Sequence, residues 1–64
     1  MKVTRNDTGI YIVTGHTKAG ELVQYEVQRN GHGWSVSLVY GNGAHLHMLY
    51  TTKAAAIQAI NNQG

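Results

Sequence analysis

Residues of two faces alternate over two stretches of this 64-residue chain, one of them interrupted by an apolar residue on its polar side. In residues 23–28, Val23, Tyr25 and Val27 interleave with Gln24, Glu26 and Gln28. In residues 34–40, Trp34, Val36, Leu38 and Tyr40 interleave with Ser35, Ser37 and Val39. Period two is the mark of a strand with one buried and one wet face. Residues 44–50 repeat the pattern more loosely, with Ala44, Leu46, Met48 and Tyr50 on one side and His45, His47 and Leu49 on the other. "IYIVT" at 10–14 is rich in β-branched residues and reads as another strand. Residues 1–8 are polar and read as a flexible leader ending in the turn signal "NDTG". "GHTKAG", "NGHG" and "GNG" separate the strands, with Asn30-Gly31 suited to a tight hairpin. Short connections of this kind favour an antiparallel meander.

The period changes after Tyr50. "KAAAIQAI" is alanine-rich, and Ala56, Ile57 and Ile60 form one helical stripe. Thr52 stands where a hydroxyl would cap the first turn, and "NNQG" supplies residues that end helices. A helix over 52–62 is too short to persist alone, so it must lie on the apolar sheet face. The expected fold is therefore α+β: one domain over residues 1–64, with strands within 9–50. These form an antiparallel meander of three or four strands with one C-terminal helix packed on one face.

The spacing of "GW-V" and "TK-A-AI-AI" resembles small strand-strand-strand-helix modules. These include the arm-binding N-terminal domains of phage integrases and a group of short bacterial and phage proteins. The residues that carry the resemblance are Gly33, Trp34, Val36, Thr52, Lys53, Ala56, Ile57, Ala59 and Ile60, within 21–62. The resemblance implies a phage or bacterial accessory protein, and a cytoplasmic location in a bacterial or phage-infected cell. It also implies DNA binding, with the open sheet face in the major groove. On this chain that face carries Gln24, Glu26, Gln28, Ser35, Ser37, His45 and His47, and so departs from the basic face of the integrase modules.

Charge changes the picture further. Five Lys/Arg against three Asp/Glu give a formal net charge of +2, and charged residues make up 12% of the chain, about half the usual share. Phosphate affinity grows with the number of cations brought to bear, and Lys2, Arg5, Lys18, Arg29 and Lys53 are scattered along the sequence. Arg29 and Lys53 are the candidate phosphate contacts, Lys53 because it opens a helix. Gln24, Gln28, Ser35 and Ser37 are competent to read base edges, but Glu26 lies among them.

There is no cysteine, so disulfides and thiolate metal sites are excluded. His45 and His47 share a strand face, with Glu26 and His32 as remote further ligands. Two solvent-facing polar residues are the simpler account, and no metal or other cofactor is expected. Ser35 or Ser37 beside His45 makes a poor catalytic pair, since a small sheet under one helix leaves little room for a substrate cavity. Trp34, Tyr25 and Tyr40 read as core rather than as a stacking platform. No apolar run is long enough for a membrane span, and no secretory leader is evident.

The leading expectation is thus a small non-catalytic protein-interaction module, a homodimer or the partner of another protein. Its interaction face would comprise Gln24, Glu26, Gln28, Ser35, Ser37, Val39, His45, His47 and Leu49. A DNA-binding accessory module is the alternative, a metal-binding protein the remote one. No small-molecule substrate is expected.

Overall fold

Alternation in the two best-patterned stretches produces the centre of the sheet. A computed structural model describes residues 2–62. Strands β1 (Lys2–Asp7), β2 (Ile10–His16), β3 (Leu22–Asn30) and β4 (Gly33–Tyr40) pair antiparallel in the order β1-β2-β3-β4, and helix α1 (Lys53–Asn62) follows. This is the expected α+β meander with one helix on one face, although the fourth strand is not the one the pattern suggested.

The polar leader is strand β1. Every residue of it is exposed, because α1 packs chiefly on β3 and β4 and its cover does not extend over the β1 edge. A strand wet on both faces has no hydrophobic periodicity. It is held by its ladder to β2, with Val3 opposite Val13 and Thr4 opposite Ile12.

Residues 44–50, in contrast, form no strand. Among the described residues, backbone pairing of this segment with β4 is confined to one bridge. Trp34 donates to the Tyr50 carbonyl at 2.7 Å, and Tyr50 donates back at 2.9 Å. The cause lies at the other end of the segment. The Tyr25 hydroxyl donates to the Ala44 carbonyl at 2.8 Å, and Tyr25 projects from the buried face of β3. Ala44 therefore lies over that face and not in the plane of the sheet. From there the chain runs back to the β4 edge, with Leu46 half-buried against the core and Met48 67% exposed. Met48 is thus not a core residue. The segment is a second cover beside the helix.

The core joins Val13, Val23, Tyr25, Val27 and Val36 of the sheet to Ala56 and Ile60 of the helix. Thr52 caps α1 as its position suggests, its hydroxyl accepting from the Ala55 amide at 3.0 Å. Ile57 is only half-buried, so the stripe centres on Ala56 and Ile60. The β3–β4 hairpin pairs Asn30 with Gly33, leaving Gly31 and His32 as the loop. Gly31 has φ +65° and His32 does not have a positive φ, which fits a turn with glycine first rather than one built on Asn30-Gly31.

Tyr25→Phe tests the tie between the two layers. Loss of a net hydrogen bond costs about 1 kcal/mol, a fall in Tm of about 4–8 °C for a domain this size. Amide exchange should accelerate across residues 42–49 more than in β2 or β3.

Candidate functional site

The register decides what lies on each side of the sheet. Directly opposed residues share a face. Glu26 faces Ile12 and Ser37, Gln28 faces Ile10 and Ser35, and Gln24 faces Thr14. The open side therefore brings together Gln24, Glu26, Gln28, Ser35 and Ser37, as the alternation predicts. It also carries Ile10 and Ile12, both half-buried, whose faces the irregular pattern of "IYIVT" did not reveal. Local bonds occupy much of this surface. The Gln24 side-chain amide donates to the Thr14 hydroxyl at 3.2 Å, and the Ser35 hydroxyl donates to the Gln28 carbonyl at 3.3 Å.

Four members of the expected face sit elsewhere. The β3–β4 register slips between Gln24 and Tyr25, so Tyr25 opposes Leu38 while Gln24 opposes Tyr40. Val39 is the extra residue of this bulge. It is 52% exposed, and Tyr40 leaves the core face to become 58% exposed. His45, His47 and Leu49 belong to the covering segment and are not part of the sheet. The two histidine rings stack at 5.9 Å with planes 9° apart. Among the described residues no group of three or more His, Cys, Asp or Glu is placed to hold a metal, so Glu26 and His32 do not join the pair. Leu49 lies against Gly33, where an added Cβ would stand 2.6 Å from the Leu49 Cγ.

The β4 edge therefore carries exposed apolar residues near both ends of the strand, in an uncharged stretch of chain. Val39 and Tyr40 are exposed at the strand's end, and Met48 (67%) and Leu49 (55%) beside its start. From Asn30 to Thr52 the chain contains no Lys, Arg, Asp or Glu. Two open clefts, of ≈ 360 and ≈ 190 Å³, separate β4 from the covering segment. The opposite edge, β1, carries Lys2, Arg5 and Asp7, the kind of charge that normally discourages edge pairing.

Arg29 and Lys53 lie on the helix side of the sheet. Arg29 opposes Trp34, which packs against the core. The Lys53 ammonium sits 4.1 Å from the centre of the Tyr11 ring. The attraction of a cation to an aromatic face offsets the unfavourable place of a lysine in the first helical turn. Tyr11 in turn meets Trp34, with ring centres 6.1 Å apart. Of the three aromatics read as core, Tyr25 is fully buried, Trp34 half-buried and Tyr40 exposed.

A further cleft of ≈ 430 Å³ lies between the 17–21 turn and residues 42–44, with Lys18 and Glu21 as its titratable lining. The turn beneath it is closed by backbone bonds, Thr17 to the Glu21 carbonyl and Gly20 to the Thr17 carbonyl, both 2.9 Å. No family model matches the chain, and no curated protein or solved structure is significantly similar to it.

Proposed function

We propose that the chain is a small non-catalytic protein-interaction module that self-associates, with the exposed apolar residues along the β4 edge as its contact surface. The observation that carries this reading is the exposure of Val39, Tyr40, Met48 and Leu49 within a stretch lacking any formal charge. Single exposed apolar residues are ordinary. Two pairs of them along one uncharged edge strand are contacts that a second copy can cover without opposing like charges. A domain of this size buries little of its own surface, and association is a common remedy where disulfides are absent.

The open sheet face is a weaker candidate for DNA binding. Lys2, opposite Thr14, is the cation its register brings there, against Glu26 at its centre and the apolar Ile10 and Ile12.

Sedimentation across a concentration series tests the proposal. Wild type should shift from monomer to dimer toward high micromolar concentration. Met48→Lys with Leu49→Glu should hold it monomeric with an unchanged circular dichroism spectrum, since both side chains are mostly exposed. A wild type that stays monomeric at high micromolar concentration removes self-association.

A further inference from the structure

The sequence scatters its five cations, but the fold does not. Arg5 opposes Tyr11 across the β1–β2 ladder, and Tyr11 opposes Val27 of the core. Arg29 opposes Trp34 and donates its amide to the Gly9 carbonyl at 2.8 Å. Lys53 reaches over the Tyr11 ring from the start of α1. All three cations therefore lie on the helix side of the sheet, at the end that holds the 7–10 and 30–33 turns. Arg5 on β1 is level with Val27 of β3, and Arg29 lies two residues further along β3, so the two are about 12 Å apart, two strand spacings across and two residues along, with the Lys53 ammonium over Tyr11 of β2.

The carboxylates are elsewhere. Glu26 faces Ile12 and Ser37 on the opposite side. Asp7 opposes Ile10, also on that side, and its carboxylate accepts the Thr8 amide at 2.7 Å. Glu21 closes the turn at the far end of the sheet. Among the described residues, Arg5, Arg29 and Lys53 have no carboxylate partner. Arg5 and Arg29 are exposed, and every residue of β1 is exposed.

Three cations without a carboxylate partner, spread over about 12 Å, suit a run of phosphates better than a single anion. The Tyr11 ring has the Lys53 ammonium over it and Trp34 beside it, the two rings tilted by 51°. The contact with Tyr11 fixes the central cation.

We infer that Arg5, Lys53 and Arg29 form a binding site for the phosphate backbone of a nucleic acid, on the helix side of the sheet and independent of base sequence. This site is distinct from both the open sheet face and the apolar residues along the β4 edge. It can therefore operate in a self-associated protein.

Trp34 is the one tryptophan of the chain and stands opposite Arg29, so its fluorescence reports on this site. The full chain is titrated with mixed-sequence single-stranded and duplex oligonucleotides at several salt concentrations. Binding should perturb Trp34 emission, with a Kd of about 10⁻⁴–10⁻⁶ M typical of sequence-independent contacts. Three phosphate contacts should give a slope of log K against log salt of about −2 for single strands and about −2.7 for duplex. Whichever form binds more tightly identifies the natural backbone geometry. Arg5→Gln with Arg29→Gln should weaken binding at least tenfold, and Lys2→Gln with Lys18→Gln should not. All four are exposed positions, and circular dichroism of each variant checks that the fold is kept. Absence of binding at low salt overturns the inference. So does binding that survives Arg5→Gln/Arg29→Gln but is lost in Lys2→Gln/Lys18→Gln.

Discussion

Ala56→Asp will abolish folding, while Gln58→Asp, two residues along the same helix, will leave it intact. Ala56 has no solvent exposure and sits between α1 and the sheet. Gln58 points to water. An aspartate at 56 must bury a carboxylate where the surrounding core residues are Val, Tyr and Ile. Its cost is several kcal/mol whether the group stays charged or takes up a proton. A domain of this length has a total stability of about 3–10 kcal/mol, and there is no disulfide to hold the chain together. The exposed substitution carries only the difference in helix propensity, about 0.5 kcal/mol. Circular dichroism and thermal melts of the two variants are the measurement. A native spectrum and cooperative melt for Ala56→Asp would overturn the placement of the helix on the sheet.

The second large effect is expected at Gly41. Its φ is +88°, a conformation that L side chains rarely adopt. A Cβ there would also overlap the Leu22 carbonyl oxygen and stand 3.0 Å from the Val23 Cγ1. Gly31 provides the control, since its φ is +65° but nothing lies within 4 Å of an added Cβ. Gly31→Ala should cost the left-handed penalty alone, about 1–2 kcal/mol. Gly41→Ala should cost that plus the displacement of β3 backbone, about 2–5 kcal/mol in all. The gap in urea midpoint between the two variants measures the clash. Equal midpoints would mean that residues 41–43 do not turn over β3 as described.

The comparison of these two glycines shows what local reading can and cannot reach. "NGHG" and "GNG" look alike as turn signals. One closes a two-residue hairpin, whereas the other lifts the chain out of the sheet. The difference arises from the Leu22 backbone and the Tyr25 hydroxyl, which the sequence places some twenty residues away. For the same reason residues 44–50 alternate like a strand and yet form one bridge. Their pattern is compatible with a strand at the β4 edge. The Tyr25–Ala44 hydrogen bond and the burial of Leu46 take the chain over the core instead.

The sequence by itself determined the elements whose periodicity records burial. Strands β3 and β4 are legible because one face of each packs under a cover, so selection of apolar residues at every second position has a physical cause. Helix α1 is legible from its stripe and from the Thr52 cap, which is a purely local bond. Strand β1 left no such trace, because neither of its faces is buried and only backbone pairing holds it. The Val39 bulge that turns Tyr40 outward is likewise a matter of register between two strands. Gathering Arg5, Arg29 and Lys53 onto one side required the whole meander. Residues at 5, 29 and 53 belong to three different elements, and only the ladder offsets and the crossing of α1 decide that they meet around Tyr11 and Trp34.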